Sequence, residues 1–225
     1  MTAWRSLVDR RTLAEQVTTA KRMHASFPVE ERDILIPGRE RETNQQIPGD
    51  PSIWVFVIGE MVAFSCYFAA YMWDRGQHHG LFLQAQRDLS QNVAALNTLV
   101  LLASSLFIAL SVHATRAGDF AIASRFLTLG GTCGAAFVVS KAFEWSSKLA
   151  QGLTLGSNAF FMHYYMLTGV HLFHVLLGLV FLGILWRELN KGSPPRARLM
   201  EVGATYWHMV DFLWIIIFPL LYLMR

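Results

Sequence analysis

The sequence predicts an all-α membrane protein, a bundle of five transmembrane helices, and three observations carry that prediction. The chain of 225 residues is 53 % apolar and has a mean hydropathy of +0.34. Eight of its 19 Lys/Arg and eight of its 16 Asp/Glu fall before residue 51. The remainder resolves into five apolar windows, each close to the about 20 residues a helix needs to cross a bilayer.

The first window, Ser52 to Trp73, holds one charged residue, Glu60. At about 1.5 Å of rise per residue Glu60 lies roughly 12 Å into the span. A carboxylate at such depth costs about 2.5 to 3.5 kcal/mol on insertion scales, so it is expected to face protein or water. The second window, Val93 to Thr115, is uncharged and carries Asn97, Ser104 and Ser105, residues that let helices approach and hydrogen-bond. The third, Ala123 to Trp145, is the weakest, because Arg125, Lys141 and Glu144 lie near its ends and Gly130, Gly131 and Gly134 inside it. Charges near span ends can snorkel, and glycine is common in membrane helices. The fourth, Ala159 to Trp186, contains His163, His171 and His174, with Thr168, Gly169 and Gly178 as packing residues. The fifth, Ala204 to Met224, contains His208 and Asp211.

Loop charge sets an expected orientation. With the N-terminus in the cytoplasm, the inside segments carry 14 basic residues and the outside segments five, which favours an N-in, C-out topology. The net charge of +3 is accounted for in this way. No basic stripe is interleaved with aromatics as a nucleic-acid surface would be. The first apolar run begins after some 51 polar residues, so the first span is expected to serve as its own targeting element. Residues 1–51 form a cytoplasmic extension and linker, ahead of the domain 52–225. Trp4, Leu7, Val8, Val17 and Met23 have the loose spacing of a short interfacial helix, and residues 28–51 read as a proline-punctuated linker. Cys66 and Cys133 stand alone in different spans, which gives neither a disulfide framework nor a Cys-rich metal site.

Steps of 100° per residue place His163 and His174 about 20° apart on the fourth helix, with His171 some 60 to 80° away. A bis-histidine haem needs ligands on facing helices at matched depth. His113 and His208 sit near helix ends, and His208 is expected about 6 Å from the cytoplasmic edge. Haem or metal ligation is therefore disfavoured against hydrogen bonding between helices. From the cytoplasmic face Glu60 and Asp211 are expected at roughly 10 to 12 Å, His208 at about 6 Å and His174 at about 18 Å, and they can form one cluster. His208 and Asp211, spaced i, i+3, share a face. These four are the candidates for proton handling. Lys141 and Glu144, also i, i+3, read as a local salt bridge near the outer face. Trp54, Trp73, Trp145, Trp186 and Trp207 mark span ends as an aromatic belt would, whereas Trp214 sits mid-helix.

The segments WVFVIGEMVAFSCYFAAY (54–71), LNTLVLLASSLFIALSVHA (96–114), FFMHYYMLTGVHLFHVLLGLVFL (160–182) and TYWHMVDFLWIIIFPLLYL (205–223) resemble subunit III of the haem-copper (cytochrome c) oxidases in order and spacing. Full-length members have seven helices, and this chain is similar to the shorter bacterial form that lacks the first two. The wording PGDPSIWVF (48–56) and YYMLTGVHLFHV (164–175) looks most like the homologues associated with nitric oxide reductase. Where the family often has Glu-Tyr in the third helix, this chain has Glu144-Trp145 and lacks that phenol hydroxyl.

The resemblance implies a non-catalytic subunit with no redox centre or metal of its own, docked on catalytic subunit I in the plasma membrane. It implies phospholipid held in a cleft between helices. Glu60, His208 and Asp211 match the family's embedded acid and its last-helix His and Asp, which support proton uptake from the cytoplasmic side. His171, Glu144, Asn97 and Trp207 are the structural polar residues of the helix contacts and lipid cleft. A stand-alone proton-coupled transporter is the alternative from another class; the absence of an inverted repeat weighs against it.

Overall fold

In a computed structural model of the protein, residues 51–191 and 197–224 are described. They form six α-helices: α1 (Pro51–Gln77), α2 (His79–Gln86), α3 (Gln91–Arg116), α4 (Phe120–Ala150), α5 (Ala159–Leu189) and α6 (Ala197–Phe218). A π-helical turn, Pro219–Leu223, follows α6. There is no strand among the described residues. All helices but α2 are long and apolar enough to cross a membrane. The protein is a multi-pass membrane protein, and its five spans lie within a compact unit of residues 46–225. The expected interfacial helix and the linker up to residue 50 lie outside the described residues.

Each span runs longer than its apolar window, most of all the third, which extends over 31 residues. Its ends are set by local chemistry. The Asp119 carboxylate accepts from the backbone N–H of Ile122, capping α4, and Asn158 accepts from Phe161 N at the start of α5. The α3–α4 turn passes through Gly118 at φ +82°, a left-handed conformation that costs glycine little. Short connections make neighbouring spans antiparallel. One end of the bundle therefore gathers Pro51, Arg116, Phe120, Leu189 and Ala197, here the entry end. The far end gathers Gln77, Gln91, Ala150, Ala159 and Leu223.

The core is pinned by Trp207. Its indole is fully buried and lies between α4 and α5, where Gly134 and Gly178 leave room for it. A Cβ at Gly134 would fall 2.6 Å from Trp207 Cη2, and one at Gly178 would fall 2.8 Å from Cε3. Trp207 Nε1 donates to Ser104 Oγ on α3 (3.1 Å), whose hydroxyl donates to the Gly130 carbonyl of α4 (2.7 Å). One side chain thus ties four helices together. The belt position expected for Trp207 is overturned: α6 begins seven residues before the predicted Ala204, so the indole lies inside the bundle.

Pro219 has no N–H to donate to the preceding turn, and the helix widens there into π geometry. The last carbonyls of the helix find no N–H beyond them, and side chains from three other helices donate to them. Tyr71 Oη donates to Leu220 O, Gln86 Nε2 to Leu221 O, Gln91 Nε2 to Tyr222 O and Arg75 Nη2 to Met224 O. Gln86 reaches that site from α2, a helix absent from the sequence prediction, whose Phe82 and Ala85 are buried beside it.

Candidate functional site

The polar side chains inside the bundle fall into groups with different degrees of satisfaction. Glu60 projects from α1, whose outer face is a run of exposed apolar side chains such as Val55, Ile58 and Val62. Its Oε2 lies 3.3 Å from His174 Nε2 on α5, and its side chain remains 25 % exposed. The other imidazole nitrogen, Nδ1, lies 2.8 Å from the Val170 carbonyl. A carbonyl only accepts, so Nδ1 carries the hydrogen. A hydrogen bond between Nε2 and Glu60 then needs one further proton, held either by the carboxyl or by an imidazolium. Tyr206 closes this site by donating to the His174 carbonyl (3.1 Å) while its ring stacks on Phe56.

His208 and Asp211 share a face of α6, but that face looks at α3. His208 Nδ1 lies 2.5 Å from Ser105 Oγ. Asp211 is buried beside the Ser105 hydroxyl, which faces its carboxyl without a well-formed hydrogen bond. The structure therefore brings Glu60 to His174 and His208 to Ser105, and it does not join the four candidates by direct contact. The reason is helical phase: Tyr206, two residues before His208, is the α6 residue that turns toward His174, and a two-residue step rotates the side chain by about 200°. His208 lies eleven residues or about 17 Å along α6 from its first residue, because that helix starts earlier than its apolar window.

His171 turns to the bundle interior, edge-on to Phe137 and tilted against Trp214, with both ring nitrogens buried and unpartnered. Asn97 is buried on α3 with its Nδ2 unpartnered. His163 pairs with Asp74 of α1 at 2.7 Å, on the same α5 face as His174, as the 20° separation requires. His113 is exposed. No three His, Cys, Asp or Glu side chains converge as a metal site among the described residues.

The fourth group is the most complete. Lys141, only 1 % exposed, donates to Glu144 Oε2 (3.0 Å) and to Tyr222 Oη (2.7 Å). Glu144 Oε1 accepts from Tyr164 and Tyr222, each at 2.7 Å. The ammonium sits 5.0 to 5.3 Å from the ring centroids of Trp214, Tyr164 and Tyr222, within cation–π reach. This pair is a buried junction of α4, α5 and the π turn, and Lys141 does not snorkel outward. Trp145 Nε1 has no partner, and its ring lies over Gly169. Sequence reasoning assigned Tyr164 and Tyr222 no role. Their signal was available in part, because Tyr164 falls one helical turn before Thr168 on a face that also carries His171.

Comparison with known proteins bears on this arrangement. The family model described as cytochrome c oxidase subunit III matches residues 50–225. The chain belongs to the cytochrome c oxidase subunit III family. The match begins where α1 begins and takes in all five spans. The cytochrome c oxidase subunit 3 of Thermostichus vulcanus is 32 % identical over 173 residues, covering 76 % of this chain and 84 % of that one. That of Corynebacterium diphtheriae is 30 % identical over 198 residues, covering 86 % and 97 %. A heme-copper oxidase subunit I+III from Aeropyrum pernix is 32 % identical over 187 residues, which are 76 % of this chain and 22 % of that larger one. Subunit III is an accessory subunit.

Proposed function

We propose that this subunit III docks on the catalytic subunit I of a bacterial haem-copper respiratory oxidase, stabilises it and helps deliver protons to it from the cytoplasmic side. The chain has no redox centre of its own in this reading, and it holds phospholipid against its spans. Reduction of oxygen or of nitric oxide is then the work of the complex; the wording of residues 48–56 and 164–175 favours an association with nitric oxide reductase. The name of the Aeropyrum pernix relative, subunit I+III, supports subunit I as the partner. The loop-charge asymmetry supports an N-in orientation in the plasma membrane, which makes the entry end the cytoplasmic one.

The observation that carries the proton role is the Glu60–His174 pair. It needs one shared proton to close its hydrogen bond, lies about 14 Å along α1 from Pro51, and keeps a partly open side toward the thinly covered face of α1. Asp211, buried beside the Ser105 hydroxyl, is a second group able to take up a proton. The test is sustained turnover and proton uptake by the assembled oxidase carrying Glu60→Gln or Asp211→Asn. Lower uptake with intact assembly supports the role. Unchanged uptake and turnover leave a structural subunit only.

A further inference from the structure

Along the seam between α3 and α6 runs a line of polar side chains. On α6, Glu201, Thr205 and His208 follow one another at i, i+4 and i+7, and all three are half-buried. That spacing keeps them on one stripe of the helix. The stripe begins at the entry end, where Glu201 meets Arg116 of α3, and rises about 10 Å to His208. Asp211 lies one turn further on and is only 4 % exposed. The partly open stripe therefore stops at His208, short of the acid.

Ser105 of α3 stands at that break. Its Oγ lies 2.5 Å from His208 Nδ1 and faces the Asp211 carboxyl. A hydroxyl within a helix can turn back to the carbonyl four residues earlier, as those of Thr98, Thr115 and Thr168 do. Ser105 turns across the seam to His208 instead. Its neighbour Ser104 is committed to packing, accepting from the Trp207 indole and donating to the Gly130 carbonyl. A serine hydroxyl has one hydrogen and two acceptor positions, and here it faces two titratable groups. When His208 Nδ1 carries a hydrogen, it donates to Oγ and leaves the serine hydrogen for an ionised Asp211. When Nδ1 is bare, Ser105 donates to it and offers a lone pair to the O–H of a protonated Asp211. The first arrangement becomes the second by two coupled shifts. The Nδ1–H bond breaks as a new Oγ–H bond forms, and the original Oγ–H bond breaks as the carboxyl O–H bond forms. The serine ends unchanged, and a proton taken up at His208 Nε2 keeps the imidazole neutral.

We propose that Ser105 relays protons between the half-buried His208 and the buried Asp211, which makes the α3–α6 seam a second way into the bundle beside the Glu60–His174 pair. The inference rests on the proton-uptake reading above and gives Asp211 its route.

The test follows hydrogen–deuterium exchange at the Asp211 carboxyl. Infrared spectra of the full chain in mild detergent, moved from water to heavy water, track the carboxyl band that Asp211→Asn removes. Ser105→Ala should slow the isotope shift of that band by about a hundredfold, with helical circular dichroism unchanged. Ser105→Thr keeps a hydroxyl and should restore the wild-type rate. His208→Gln should slow the shift as the alanine variant does, which tests the relay from its other side. Equal rates in wild type, Ser105→Ala and His208→Gln overturn the proposal. So does slowing by alanine that threonine fails to reverse, because packing and not the hydroxyl is then responsible. The lack of any Asp211 band at every pH where the chain stays folded also overturns it, since the acid then holds no proton to pass on. Exchange is read without turnover. A working relay combined with unchanged oxidase uptake in Asp211→Asn would uphold this inference while the proton-delivery reading fails.

Discussion

The junction at Lys141 and Glu144 and the pair at Glu60 and His174 are both acid–base contacts inside a membrane bundle, and they are built in opposite ways. Glu144 accepts from a lysine and two phenols while nearly all of its surface is buried. Glu60 has a single contact at 3.3 Å and a quarter of its side chain open. A buried charge matched by several partners is held in place; one with a single long contact is held far less. The difference separates a junction that holds the bundle from a site that can act.

The contrast is broken most severely at the junction. Glu144→Ala should leave the Lys141 ammonium buried and uncompensated, at a cost of about 3 to 5 kcal/mol, seen as loss of folded protein in denaturant titration. Replacing both partners with apolar residues of similar volume should recover most of that loss, since neither charge is then stranded. Gly134→Ala comes next. Its Cβ would meet the Trp207 indole at 2.6 Å, and overpacking of this kind costs about 1 to 3 kcal/mol, measurable by the same titration. Tyr222→Phe removes one donor to Glu144 and one acceptor for Lys141 and should cost about 1 to 3 kcal/mol through the charged groups it leaves short of a partner. Arg116→Ala should change stability by less than about 1 kcal/mol, because the Arg116–Glu201 bridge joins α3 to α6 with the arginine 58 % exposed.

The five spans were legible because their apolar windows are long, and Glu60 stood out because it is the sole charge in its window. The fourth-helix phase was legible too: His163 and His174 do meet the same neighbour, α1. What could not be read was which neighbour each face meets. Angular position around α6 placed His208 with Asp211, but the helix that covers them, α3, is fixed by Trp207 seating between two glycines far away in sequence. The Lys141 environment was hidden for a related reason. Its second acceptor, Tyr222, is 81 residues distant and is delivered by a π turn that Pro219 causes. Short α2 escaped notice because eight residues with three buried positions make too brief a pattern.

The central claim is that Glu60 exchanges a proton in the working complex while Glu144 does not. Infrared difference spectra of the assembled oxidase, recorded between resting and turning-over states, test it most directly. The account predicts a carboxyl band that vanishes in Glu60→Gln with subunit assembly intact. The same band persisting unchanged in that variant would contradict it.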